Sequence, residues 1–125
     1  MTVRIRRFLE QERPETPCLV VDLEVIAENY RRLHEAMPLA AIYYAVKANP
    51  AAPVLEVLRD LGSRFDAASI YEIEHCLRLG IAPERLSFGS TIKKVRDIAS
   101  AFERGVRLFA FDSEPELRKL AEAAP

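Results

Sequence analysis

After Pro14, short runs rich in branched and aromatic residues alternate with amphipathic segments at a period of about 20 residues. This alternation constrains the fold more than any other feature, because it is the pattern of consecutive βα units, not of separate all-α or all-β domains. The strand candidates are Cys18–Asp22, Ile42–Lys47, Arg64–Ala68, Leu86–Gly89 and Arg107–Asp112, each apolar enough for a buried sheet. At 125 residues the chain has room for one such domain.

The intervening segments have the helical period. Leu23, Ile26, Tyr30, Leu33 and Met37 recur at steps of three and four, opposite Glu24, Glu28, Arg31 and Arg32. Later stripes are Val54, Leu55, Leu58 and Leu61, then Ile70, Ile73 and Leu77, then Val95, Ile98 and Phe102, then Leu117 and Leu120. Helix starts are marked by Asn49 before Pro50, and by Ser69-Ile70-Tyr71-Glu72 and Ser113-Glu114-Pro115-Glu116, which both fit a capping box. Gly62, Gly80 and Gly105 fall just past helical stripes, where a left-handed C-cap favours glycine.

Parallel strands joined by right-handed crossovers belong either to an open doubly wound sheet or to an eight-stranded barrel, and periodicity does not choose between them. About four βα units follow Asp22, half of a barrel. A half barrel has a raw strand edge, so the expectation is a piece of a longer protein that is inactive and prone to self-association by itself.

Charge narrows the function. With a net charge of -1, nothing tracks a polyanion, and Arg4-Ile5-Arg6-Arg7 is followed at once by Glu10, Glu12 and Glu15, which reads as a solvated face. No nucleic-acid or membrane partner is expected. No stretch approaches the ~18 apolar residues of a membrane span, and no apolar core of a signal peptide follows the basic residues. Cys18 and Cys76 lack metal spacing and a disulfide-rich context, so they read as small core residues in a reducing cytoplasm. His34 and His75 read as ordinary helical side chains, and metal catalysis is not indicated. Glycine-rich dinucleotide, phosphate-loop and nucleophile-elbow motifs are absent.

Lys47 is the chemical candidate that remains. It ends the run Ile42-Tyr43-Tyr44-Ala45-Val46-Lys47, at the strand end where α/β folds assemble sites. A lysine closing a strand is by itself more often a solvated end. Alternation, however, puts Tyr43, Ala45 and Lys47 on one face, and small Ala45 leaves room for a flat ring. Shelter from water there would keep more of the amine neutral and able to hold an aldehyde cofactor. Asp66 stands at the equivalent end of the next strand, where it could orient the amine or simply form an ion pair. The capping box already accounts for Glu72.

Taken together, Tyr44-Ala45-Val46-Lys47-Ala48-Asn49 resembles the cofactor-lysine motif of the fold-type III pyridoxal-phosphate decarboxylases that act on basic amino acids. Within that family, Phe65-Asp66-Ala67-Ala68-Ser69 with Glu72-Ile73, Pro83-Glu84-Arg85-Leu86 and Phe111-Asp112-Ser113-Glu114 resemble the ornithine decarboxylases in order and spacing. Diaminopimelate decarboxylases share the lysine motif but differ at the second and fourth of these, and alanine racemases diverge after the lysine. One departure is Gly89-Ser90-Thr91, where ornithine decarboxylases commonly have a small residue followed by Asn.

The resemblance implies an α/β fold, the N-terminal half of an alanine-racemase-like (β/α)8 TIM barrel over residues 23–125. Residues 1–22 would precede it, with one strand of a second β domain completed elsewhere. It also implies pyridoxal 5'-phosphate as cofactor, with Lys47 as the Schiff-base lysine and Ala45, Asp66 and Glu72 lining the cofactor end of the pocket. The activity implied is decarboxylation of a small basic amino acid, L-ornithine to putrescine in polyamine biosynthesis, by a cytoplasmic homodimer. The alternatives are lysine or diaminopimelate decarboxylation, or a non-catalytic homologue similar to the antizyme inhibitors.

Overall fold

The computed structural model describes all 125 residues. Its elements are α1 (Val3–Glu12), α2 (Leu23–Ala36), β1 (Tyr43–Ala45), α3 (Ala52–Asp60), β2 (Arg64–Ala67), α4 (Ile70–Arg78), β3 (Leu86–Phe88), α5 (Val95–Glu103), β4 (Leu108–Phe109) and α6 (Glu114–Ala123). Single 3₁₀ turns at Val46–Ala48 and Pro83–Arg85 follow β1 and precede β3. Four of the five expected strands form, each shorter than its apolar run.

The strands are parallel and stand in chain order, β1-β2-β3-β4. A doubly wound sheet needs a reversal in strand order to cover both faces, and there is none. Alternate residues therefore divide cleanly. Tyr44, Phe65, Ala67, Leu86, Phe88 and Phe109 lie in or against the apolar core beneath the helices. On the opposite face Ala45, Asp66, Ser87 and Leu108 form one row across all four strands. One covered and one bare face is the arrangement of a barrel wall, with the bare row facing the interior.

The core explains why the helices dock. Phe65, Leu55, Ile73, Ile81, Leu86 and Ile98 are almost fully buried, and each contributes roughly 1.5–3 kcal/mol relative to exposure. Helix entry is set locally. Asp22 caps α2 through its carboxylate, which accepts from the Glu24 amide at 3.2 Å. Ser69 caps α4 by accepting from the Glu72 amide at 3.3 Å. Gly62, Gly80 and Gly105 have φ of +91°, +75° and +95°, the left-handed conformation expected at their C-caps.

Several expectations are corrected. Cys18–Asp22 is not a strand: a strand exists by pairing, and no other strand lies beside this segment. The helix α1 before it, begun by Thr2 accepting from the Ile5 amide, had no counterpart in the sequence reading. Arg4 on α1 bonds to Asp22 at 2.9 Å, and that hydrogen bond chiefly holds the Asp22 carboxyl below its ordinary range. Cys18 is exposed and only Cys76 is buried. The second capping box does not form, since Ser113 makes no capping bond and Glu116 is drawn elsewhere. Helix α6 consequently buries Glu116 and Leu120, while Leu117 is 46% exposed. Asn49 does not cap α3 directly: its Oδ1 accepts from the Ala51 amide at 3.1 Å, and the helix begins at Ala52. No helix is long and apolar enough to cross a membrane.

Candidate active site

The carboxyl ends of β1, β2 and β3 bring together most of the residues that the sequence singled out. Ala45 pairs in register with Asp66, and Asp66 with Ser87. Parallel register puts these three side chains in one row on the bare face. Lys47 lies two residues beyond Ala45, in the 3₁₀ turn whose Val46 is fully buried and anchors it to the core. Lys47 itself is exposed, so the shelter expected for it is not supplied by these residues.

The amine of Lys47 has no hydrogen-bond or ion-pair partner, which separates it from two of the other three lysines. Lys93 and Lys119 are both committed to Glu116. Lys94 is exposed and also unpaired, immediately before α5 and six residues past the end of β3. Lys47 is set apart by its place two residues past β1, next to the Ala45–Asp66 pair.

Asp66 does not engage Lys47. Its carboxylate accepts a short hydrogen bond from the Ser87 hydroxyl of the adjacent strand. Gly89 makes room for it: a Cβ there would stand 2.1 Å from one carboxylate oxygen and 2.5 Å from the other. The Gly89 amide meanwhile donates to the Ala67 carbonyl at 2.8 Å. Asp66, Ser87 and Gly89, with Tyr43 and Leu108–Ala110, line a hollow of about 280 Å³ on the bare face. Glu72 reaches back to the rim, where its carboxylate accepts from the Ala68 amide at 2.7 Å. The bond falls one residue before the Ser69 amide that a capping box would use, and it fixes the loop after β2.

Sequence reasoning overlooked several members of this rim. Ser87 carried a visible signal, a polar residue between two apolar ones in Leu86-Ser87-Phe88, but no chemistry was attached to it. The buried cluster under the β3–α5 loop carried none. There Lys93, with no exposed side-chain surface, donates to the carbonyls of Ser90 (2.8 Å) and Ala110 (2.6 Å) and to Glu116 (3.0 Å). Glu116 also accepts from the Lys93 amide (3.0 Å) and from Lys119. Burial pushes the Glu116 carboxyl up, but the hydrogen bonds and charges of Lys119 and Lys93 outweigh it and hold the group below its ordinary value. His75, read as an ordinary helical side chain, donates from Nε2 to the Pro50 carbonyl at 2.8 Å. Tyr44 donates to the Asn49 carbonyl at 3.2 Å, and burial keeps its phenol above the ordinary range despite that bond.

These residues suit an aldehyde cofactor with a flat ring. An unpartnered primary amine can condense with the aldehyde. Ala45 leaves the adjoining wall free of bulk, and Asp66 with Ser87 supplies a fixed polar edge beside it. No group of three or more His, Cys, Asp or Glu side chains is placed to hold a metal.

Residues 23–125 match the pyridoxal-binding domain of the pyridoxal-dependent decarboxylases. A lysine/ornithine decarboxylase of Selenomonas ruminantium is 38% identical over 91% of this chain and 29% of its own length. Antizyme inhibitor 2 of Xenopus laevis is 37% identical over 85% of this chain and 23% of its own. The arginine decarboxylase of Paramecium bursaria Chlorella virus, in its agmatine-bound structure, superposes on the whole chain with a TM-score of 0.91 at 27% identity, and 34% of that structure is covered. The chain thus spans about a third or less of the length of these relatives.

Proposed function

The chain belongs to the pyridoxal-dependent decarboxylases, and from that membership we propose that the intact protein removes the α-carboxylate of a basic amino acid as carbon dioxide. The observation that carries this reading is the unpartnered Lys47 amine beside the Ala45–Asp66–Ser87 row. The chemistry supplied by pyridoxal 5'-phosphate, when bound, is an electron sink for the pair left on the α-carbon as the carboxylate departs.

The chain's own residues supply position. Lys47 Nζ would hold the cofactor through its aldehyde carbon, and the turn places the Lys47 backbone at the strand-end rim. Ala45 keeps the wall next to it shallow. Asp66, fixed by Ser87 and by the missing side chain of Gly89, presents a stationary negative edge to that end of the pocket. Glu72 acts on the pocket through the Ala68 amide, by holding the loop that follows β2. Rigid placement of this kind reduces the entropy lost on reaching the reactive geometry.

For the substrate we favour L-ornithine, giving putrescine in polyamine biosynthesis, with lysine or diaminopimelate as the enzymatic alternative. The similarity to a lysine/ornithine decarboxylase supports both ornithine and lysine, and the resemblance of Phe65-Asp66-Ala67-Ala68-Ser69 and Phe111-Asp112-Ser113-Glu114 to the ornithine decarboxylases favours ornithine. We further propose a cytoplasmic homodimer in which residues 23–125 form the first half of the barrel and residues 1–22 join a second β domain. Residues 1–125 alone would not turn over substrate, because β1 and β4 are left as open edges of the sheet. The similarity to antizyme inhibitor 2 favours a second reading, in which the fold is kept as a binding surface without catalysis.

One assay separates these readings. The intact protein is supplied with pyridoxal phosphate and, in turn, ornithine, lysine, diaminopimelate and arginine, and carbon dioxide and amine product are measured. Release of putrescine with ornithine preferred is the expected result. A different preferred amino acid would overturn the substrate assignment, and no carbon dioxide from any of them would overturn the catalytic reading.

A further inference from the structure

We propose that His75 is a positioning residue for the Lys47 turn, holding it from the neighbouring βα unit so that the amine is presented in one place. This rests on the reading of Lys47 as the cofactor-holding amine. The turn Val46–Ala48 is a single 3₁₀ turn, too short to be rigid by its own hydrogen bonding. Its placement depends on what grips its two ends.

The leading end is gripped by burial of Val46. The trailing end, Asn49–Pro50, is gripped through carbonyls. Tyr44 donates to that of Asn49 from within the same βα unit. The Pro50 carbonyl receives the Nε2–H of His75, 25 residues further along and on α4. Pro50 has no amide hydrogen of its own to offer, so its carbonyl is the polar handle it presents.

His75 sits three positions after Glu72, on the same side of α4. Glu72 binds the Ala68 amide after β2, and His75 binds the Pro50 carbonyl after β1. One helix therefore holds two adjacent rim loops in fixed relation, the one that carries Lys47 and the one that follows Asp66. A small or apolar residue at position 75 would keep the helix and lose this tie.

The test uses the intact protein as wild type, His75→Leu and His75→Gln. It measures amide hydrogen exchange by mass spectrometry over residues 45–52, and the rate at which pyridoxal phosphate becomes fixed to Lys47 by borohydride. In His75→Leu, exchange in that window should rise about threefold to tenfold, the loss of one hydrogen bond of ordinary net strength. Exchange in α5 should be unchanged, and fixation on Lys47 should slow by a similar factor. His75→Gln, whose side-chain amide can donate in place of Nε2, should restore both to within about twofold of wild type.

Unchanged exchange in His75→Leu would overturn the proposal, as would faster exchange with unaltered fixation, which would make the bond purely structural. If wild type fixes no cofactor on Lys47, the reading of Lys47 has failed, and the exchange data still decide whether His75 holds the turn. Should His75→Leu not fold, His75→Ala takes its place with the same two readouts: faster exchange confined to residues 45–52 together with slower fixation supports the proposal, and unchanged exchange overturns it.

Discussion

Replacing Glu116 tests whether the buried cluster beneath the β3–α5 loop is an energetic unit. In the wild type the Glu116 carboxylate receives the Lys93 amide, the Lys93 ammonium and the Lys119 ammonium. Glu116→Gln keeps the shape and one acceptor oxygen but removes the charge, leaving the Lys93 ammonium buried among neutral acceptors, the Ser90 and Ala110 carbonyls and the glutamine oxygen. Breaking one side of a buried pair costs about 3–5 kcal/mol. The lower end, about 3 kcal/mol, applies here because those neutral acceptors still receive the Lys93 ammonium. Lys93→Met leaves the same carbonyls without a donor and should cost about 2–3 kcal/mol. The double variant should be more stable than the sum of the singles by about 1.5–3 kcal/mol, because neither partner is then stranded. Urea unfolding of the four proteins, with equal m values, gives the cycle. Acid adds a second axis. The folded Glu116 carboxyl titrates below its unfolded value, so its contribution is complete above roughly pH 4.3 and is lost as pH falls through the lowered folded value. The wild type should therefore lose its advantage over Glu116→Gln only in that acid range. Additivity within about 0.5 kcal/mol at neutral pH would refute the argument.

Gly89→Ala should destabilise the protein by about 1–3 kcal/mol, since the new Cβ would meet the Asp66 carboxylate at 2.1 Å and must break its bond to Ser87; equal stability in calorimetry would show that Asp66 can move freely. The cysteines should differ sharply in reactivity. Burial pushes the Cys76 thiol up to about 11, whereas Cys18 is exposed. Alkylation of the native protein at neutral pH should label Cys18 quickly and Cys76 only on unfolding, and early labelling of Cys76 would contradict the core packing around α4.

How much of this was legible in the chain follows from where the forces act. Strand–helix alternation was readable because a stripe such as Val54–Leu55–Leu58 reports a buried face directly, all three being 3% exposed or less. The glycine caps were readable because only backbone strain is involved. The choice of a barrel wall over a doubly wound sheet came from the motif resemblance and not from periodicity, since strand order is a property of tertiary packing. The strand at Cys18–Asp22 failed for a related reason: β propensity describes a residue's fitness for a sheet, not the presence of a partner. At the site, local order was enough to put Lys47, Ala45 and Asp66 at strand ends. The partners of Asp66 and Glu116 were hidden, because Ser87 is 21 residues from Asp66 and Lys93 is 23 residues from Glu116. Glu116 shows the limit most clearly, for a glutamate in a capping-box position was taken by a buried lysine instead. The same distance concealed His75, whose acceptor lies 25 residues away.

The central claim is that Lys47 is the amine that takes the cofactor, and identification of the modified lysine tests it most directly. The intact protein is incubated with pyridoxal 5'-phosphate, reduced with borohydride, digested and mapped by mass spectrometry. Within this chain the label should fall on Lys47 and be absent from Lys93, Lys94 and Lys119, and Lys47→Ala should abolish both the label and carbon dioxide release. Stoichiometric label on another of those lysines, or full activity in Lys47→Ala, would contradict the account.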